Sequence, residues 1–363
     1  MAIEWVACDM RTGRVICDIP LVSVGDIEQA IGAYSSTSAA LPVVDAPDGW
    51  EQATMPGAAT LVMLSDGVPM WGGFVTSRSR TDGDVVTLGL ASIEAYFDRR
   101  FVGDDLFEGI AQTHIVRDLV NQYVGDSLTI RVEYSASEHF RNREYFDDED
   151  KSVLSIISEL SGLRDGVEWV ISWEETESSG QVAYTPVLNV ADRLGVDPMP
   201  GLAPAVSFDM PGPVTSITLV ESFASGDGAT DVLATSSADG DRRPQSNPMS
   251  SGDIVRPRFE ERFTPSTSIR SLSVLNLHAS ETLARMRDGS VTLALSLNLG
   301  EAPPLGIDWI LGDRVGFQIG GTDGTVPAFP GGLNGTARVI AWRMSGLDGS
   351  NPTITPTLTE VLA

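Results

Sequence analysis

The chain has 363 residues, with 50 Asp and Glu against 24 Lys and Arg, for a formal net charge of −26. Such a balance excludes a protein that grips phosphate backbones, because those proteins displace counterions with clustered basic residues. Lys151 is the only lysine beside 23 arginines, so a phosphate-binding P-loop has no lysine to use and Schiff-base chemistry would rest on one residue.

Hydrophobic residues make up 42% of the chain, which fits a globular protein rather than a disordered one. The opening Met-Ala-Ile-Glu-Trp-Val has no basic region and carries Glu4 inside its first apolar stretch. It is therefore not expected to be a signal peptide. No apolar run approaches the ~18–20 residues of a membrane helix, so the expectation is a soluble protein made in the cytoplasm.

Alternating segments over 3–9, 14–19, 34–44, 58–65, 68–81 and 84–92 predict about six strands of an antiparallel sheet. Asp-Gly occurs nine times, and Asp66-Gly67 and Asp82-Gly83 fall between such segments, the strongest short-range hairpin signal. Without helices among them, closure into a small barrel or sandwich would remove the open edges. Cys8 and Cys17 flank the first turn. A three-residue loop with Gly13 in the left-handed conformation would set them on opposite faces, so two separate thiols are expected.

From Gly103 the period changes to 3.6. Ile115, Val116, Leu119, Val120 and Tyr123 predict a helix over 108–124, and Val153, Leu154, Ile156, Ile157, Leu160 and Leu163 a second over 150–163. The acidic run Asp147-Asp148-Glu149-Asp150 is placed to cap that second helix. Strands at 167–174 and 182–190 complete an α+β module. Val214–Ser222 is a strand, and 225–253, rich in Gly, Ser, Asp and Asn, reads as a long loop. A helix over 271–287 ends at Asp288-Gly289. Strands at 290–299, 314–319, 336–344 and 353–362 form a second β unit.

No catalytic constellation is legible. His114, His139 and His278 lie more than twenty residues apart with no close pair, whereas zinc sites usually show closely spaced ligands. The acidic run lacks the spacing of a calcium loop, and Gly226-Asp227-Gly228 opens no phosphate loop because no helix starts there. No Gly-x-Ser-x-Gly elbow is present. The seven tryptophans, at 5, 50, 71, 169, 173, 309 and 342, are dispersed singly. Catalytic, cofactor-binding and metal-ligating residues are all assigned as none, and the chain is not expected to be an enzyme.

The order of motifs is more informative than any one of them. Trp5 and Asp9-Met-Arg-Thr-Gly13 open the chain. Asp66-Gly67, Trp71-Gly72-Gly73, Ala91-Ser-Ile-Glu-Ala-Tyr-Phe97 and Arg99-Arg100 follow. Ile110 to Val120, Arg143-Glu-Tyr145, Ser152-Val-Leu154 and Gly166-Val-Glu-Trp169 carry the middle. Ser225-Gly-Asp-Gly228, Leu275-x-x-x-Ala279-x-x-x-Leu283 and Leu311-Gly-Asp-Arg-Val315 carry the second half. This series resembles the tail-hub, or baseplate-hub, minor tail proteins of long-tailed actinobacteriophages over nearly the whole chain, with 225–263 longer and more polar than that family's pattern.

The resemblance implies a mainly β fold with two antiparallel β-barrel-like domains bracketing an α+β module and a helix-plus-loop insertion. The implied domains are 1–103 and 204–224 with 289–363 for the two barrels, 104–203 for the α+β module, and 225–288 for the insertion. It further implies a homotrimer whose six barrels ring the distal end of a tail tube in the virion. The partners would be a distal tail protein, a tape measure protein and downstream tip or fibre proteins. DNA would pass through the channel without sequence-specific binding or stable membrane association. Two other classes stay open: a host-surface-binding tail-tip module acting through 225–255, and a tail-associated cell-wall or polysaccharide hydrolase. The last would need an appended domain or a convergent carboxylate pair.

Overall fold

The computed structural model describes residues 2–163, 165–199, 202–236, 243–264, 269, 271–321, 326–349 and 351–362. At the start, β1 (Ile3–Asp9) and β2 (Val15–Asp18) form a hairpin. Its turn is held by Asp9 Oδ1, which accepts from the Thr12 amide and hydroxyl, and Gly13 takes the left-handed conformation at φ 71°. A bulge between Ala7 and Cys8 sets Ala7 opposite Cys17 and Cys8 opposite Val15. The two thiols are separate.

Next come β3 (Ser23–Val24), β4 (Ile27–Ala30), β5 (Ser36–Pro42), the single turn α1 (Trp50–Ala53), β6 (Ala59–Ser65), β7 (Val68–Arg80) and β8 (Val85–Ser92). Asp66 and Gly67 both have positive φ, 49° and 82°, as a type I′ turn demands, and they join β6 to β7. Seven strands make one sheet in the order β2-β1-β6-β7-β8-β5-β3. The sequence missed β3 and β4, which at two and four residues are too short to show a period.

The α+β module holds β9 (Asp105–Ala111), α2 (Gln112–Tyr123), β10 (Arg131–Tyr134), β11 (Phe140–Tyr145), α3 (Val153–Ser161), β12 (Glu168–Ser178) and β13 (Gln181–Ala191). The first helix is shorter than its predicted 108–124. Residues 105–111 form a strand paired with β11, and Gly109 sits at φ 62°, outside the helical region. The second helix is not capped by the acidic run. Asp147–Glu149 form a separate 3₁₀ turn, Asp150 turns left-handed at φ 49°, and Ser152 caps α3 by accepting from the Ser155 amide at 3.1 Å. Ser152→Ala should lower stability by about 1 kcal/mol, checked by urea unfolding, whereas Asp148→Asn should leave it nearly unchanged.

One apolar core serves both this module and the first sheet. Ile115, Val116, Leu119 and Val120 of α2 and Ile156, Ile157 and Leu160 of α3 join Trp169, Ile171 and Leu188. They pack on Val6, Cys8, Val62 and Leu64 of β1 and β6. That explains why β6 is buried along nearly its whole length rather than alternating, as strands covered on both faces do.

The chain continues through β14 (Ser207–Met210), β15 (Val214–Ser222), β16 (Asp231–Ala234), β17 (Met249–Ser250), β18 (Glu260–Phe263), α4 (Leu272–Met286), β19 (Ser290–Asn298), β20 (Arg314–Ile319), β21 (Leu333–Ser345) and β22 (Thr353–Leu362). A second sheet runs β14-β20-β21-β22-β19-β15, with β4 paired to β21.

The two sheets repeat one another. With the edge strand β2 and the attached β4 set aside, β1, β3, β5, β6, β7 and β8 occupy, in chain order, the same places as β14, β15, β19, β20, β21 and β22: each set of six reads first, fourth, fifth, sixth, third, second. One departure is the first strand, antiparallel to its neighbour in the first sheet and parallel in the second.

The chain divides into two compact units: Met1–Ile217 with Leu295–Leu358 and Leu362–Ala363, and Thr218–Ala294 with Thr359–Val361. The smaller unit overlaps the segment that reads as a loop in sequence. Its strands β17, β16 and β18 form a sheet, and Val232 and Ala234 of β16, with Ala229 just before it, pack with Leu275, Ala279, Leu283 and Met286 of α4. With two to four residues each, these strands were hidden among Gly, Ser and Asn.

Candidate functional site

The motifs that order the sequence meet at two joints of the larger unit. At the first, the module lies on the first sheet through glycines. A side chain at Gly72 would come within 2.4 Å of the Trp173 indole, and one at Gly13 within 2.4 Å of the Tyr184 carbonyl. The Tyr184 amide donates to the Gly13 carbonyl at 2.9 Å, and the Gly32 amide to the Trp169 carbonyl at 2.9 Å. Trp5 and Trp71 meet edge to face at 6.2 Å beside this joint. Gly72→Ala should destabilise by about 1–3 kcal/mol, because the added methyl would have to displace the buried Trp173 indole, and thermal unfolding would show it.

Glu94 lies at the same joint. It lies in the first turn of the 3₁₀ segment Ile93–Arg99 and is 2% exposed. Hydrogen bonds from the Ser92 side chain and from backbone at Glu94 and Ile171 favour its charged form, but desolvation wins and pushes the carboxyl up to about 7. Its Oε2 has no hydrogen-bond partner.

The second joint fastens the module to the second sheet. Arg338, in the middle of β21, is 3% exposed. Its guanidinium forks onto Glu168, with Nη1 to Oε1 at 2.8 Å and Nη2 on Oε2. It also donates to the carbonyls of Gly312 at 3.0 Å and Leu194 at 2.9 Å. Glu168 Oε2 accepts from the Leu194 amide at 2.7 Å. Side chains at Gly195 or Gly312 would collide with the other's backbone at 2.0 and 2.7 Å. Asp313 accepts from the Val196 and Ile310 amides, and Arg314 pairs with Asp197 at 2.8 Å. Hydrogen bonds from Arg314 and Arg193 hold the Asp197 carboxyl below the usual range, against a desolvation that opposes them.

Glu168 belongs to the Gly166–Trp169 motif and Asp313 to Leu311–Val315, but Arg338 escaped notice in the sequence. Its signal was there: a lone arginine between Ala337 and Val339 in an apolar strand, which a buried charge requires to be paired.

The histidines do not converge. His114 meets Tyr134 edge to face at 5.0 Å, His139 lies 3.9 Å from Asp192, and His278 lies against Phe263. Among the described residues no group of three His, Cys, Asp or Glu could hold a metal ion. A cleft of about 260 Å³ is lined by Met70, Ile171, Trp173, Leu305, Ile310 and Trp342, with Gln29, Ser172 and Asn189 as its polar groups. Its walls offer no acid or base. Among the described residues no helix is long and apolar enough to cross a membrane.

No family model matches the chain, and no curated protein matches it by sequence. Solved structures do. A tail protein of Neisseria meningitidis MC58 superposes with a TM-score of 0.61 at 13% identity, covering 99% of this chain and 97% of that one. The 43 kDa tail protein of prophage MuSo2 from Shewanella oneidensis gives 0.61 at 9% identity, with 99% and 98% covered. The c3393 protein of E. coli, a type VI secretion component described as structurally similar to the T4 tail proteins gp27 and gp5, gives 0.51 at 10% identity, with 94% and 74% covered. The chain thus has the mainly β fold of phage tail proteins. Its twin sheets with an inserted α+β module are shared, as a fold, with these tail proteins.

Proposed function

We propose that this chain is a structural virion protein, the hub at the distal end of a phage tail tube. Three copies would form a ring that joins the tube and a distal tail protein to the tip and fibre proteins. The observation that carries this reading is the repeated strand order of the two sheets. A chain holding two equivalent sheets gives six equivalent surfaces in a trimer, which matches a six-fold tube on one side and three-fold partners on the other. The tape measure protein and DNA would pass through the centre. The buried joint at Arg338 and Glu168 suits a part that must hold its shape while other components move through it.

Labelled antibodies against the chain, applied to tails whose outer tip proteins have been stripped, should decorate the tube's distal end. Label along the whole tube, or on the head, would contradict this placement.

Recognition of a host surface is the second reading, and one observation favours it. In the smaller unit Ile254 and Val255 are 98% and 87% exposed, yet the loop is fixed by Asp253, whose Oδ1 accepts from the Val255 and Arg256 amides. Deleting 252–257 should abolish adsorption and leave tails assembled if this loop binds the host; normal adsorption would eliminate that role.

A further inference from the structure

We infer that the outward face of the β9–β11 ribbon docks a segment of another protein in which apolar side chains are flanked by Lys or Arg. The inference stands on the α+β module alone and goes beyond the ring reading. β11 alternates strictly. Arg141, Arg143 and Tyr145 turn inward, and Phe140, Asn142 and Glu144 turn out. Phe146 continues the outer row, because its backbone is still extended at φ −121° and ψ 143°. From β9, Leu106 lies opposite Glu144, and Glu108 follows two positions on, on the same side. Phe140, Leu106 and Phe146 are 64%, 63% and 44% exposed. The support beneath them is fixed. Tyr145 meets Phe107 edge to face at 6.2 Å, both pack with the core, and Asn142 Oδ1 accepts from the Gly109 amide at 2.7 Å.

The two sides of this ribbon carry opposite charge. Its basic side chains are held on the inner side, where Arg141 donates to Gln112 Oε1 at 3.1 Å and Arg143 Nε lies 4.0 Å from Glu159. On the outer side Glu108 and Glu144 make no ion pair among the described residues, and exposed Asp147 and Asp148 follow Phe146. Exposed aromatic and aliphatic side chains are what interfaces gather at their centres, and carboxylates around them select the sign of the partner. A second copy meeting this face with its own would set these carboxylates against like charges. Nucleic acid and anionic lipid are repelled in the same way. A cationic segment with apolar side chains satisfies both halves of the face.

The probe is a dansyl-labelled peptide of alternating Lys and Leu, about ten residues long to match the reach of the ribbon. Its binding to the full chain is followed by fluorescence anisotropy. Leu106→Ser, Phe140→Ser and Phe146→Ser together keep the net charge at −26. They should weaken binding about tenfold or more, as loss of anchoring side chains does. Glu108→Gln with Glu144→Gln keeps the apolar side chains and should weaken binding about threefold at low salt, and less at high salt. A peptide of alternating Glu and Leu should not bind. Unchanged affinity in a triple variant that unfolds like the parent overturns the inference, since general acidity would then hold the peptide. Should the triple variant not fold, unchanged affinity in the glutamine pair overturns it instead. Equal binding of the Glu-Leu peptide, or self-association of the parent that the triple variant loses, overturns it as well, the latter by giving the face to a second copy.

Discussion

Replacing Arg338 with alanine should lower the unfolding free energy by about 3–5 kcal/mol, the usual cost of removing one partner from a buried ion pair. The loss has identifiable parts. Glu168, 23% exposed in its side chain, is left without its counter-charge, and the carbonyls of Gly312 and Leu194 each lose a donor. Arg338→Lys should recover little, because an ammonium cannot fork onto both carboxylate oxygens while reaching two carbonyls. Pairing Arg338→Met with Glu168→Gln should recover more than either single change, since a neutral pair leaves no uncompensated charge. Urea unfolding of the parent, Arg338→Ala, Arg338→Lys, Arg338→Met, Glu168→Gln and the double variant checks this. A loss below about 1 kcal/mol for Arg338→Ala would be the size of an exposed pair and would show that this joint does not hold the module to the second sheet.

Stability should fall as pH rises from about 4.5 to 7, and Glu94 should be responsible. Its folded carboxyl is raised to about 7 from an ordinary 4.5, so between those values the folded state holds a proton that the unfolded state has released. The folded state is therefore penalised progressively across this window and by a constant amount above it. A shift of this size corresponds to about 3 kcal/mol. Glu94→Gln keeps the shape and removes the charge, so it should be more stable than the parent by up to about 3 kcal/mol at pH 8 and nearly equal to it at pH 4. A flat parent profile between pH 4.5 and 7, or a variant no more stable at pH 8, would contradict the assignment.

Much of this architecture was legible because it rests on local rules. Val214–Ser222 and Arg314–Ile319 fall where alternation placed them, and α4 begins and ends within one residue of its predicted bounds. Gly13 and the Asp66-Gly67 turn obeyed the chemistry of their φ angles. What failed depended on distant partners. Residues 105–111 carry apolar residues compatible with either period, and only β11, some thirty residues on, decides for a strand. Asp147–Asp150 had the right chemistry for a cap and was preceded in that role by Ser152, the nearer oxygen. The strands of the smaller unit are too short for a period, and α4 supplies their apolar cover.

The candidate site was less legible than the fold, for a physical reason. Gly72 and Gly312 have ordinary sequence neighbours, and their importance lies in Trp173 and Gly195, more than a hundred positions away in each case. Arg338 needed Glu168 to be interpretable. The repeat of the two sheets was invisible as sequence similarity and became plain only when strand order was known.

The most direct test of the central claim is the solution mass of the purified chain, by light scattering after size exclusion. The account predicts a particle of about three times 38.7 kDa that images end-on as a ring with six equivalent densities around its axis. A particle that stays at the single-chain mass at high concentration, and remains so when mixed with tails lacking the protein, would contradict it.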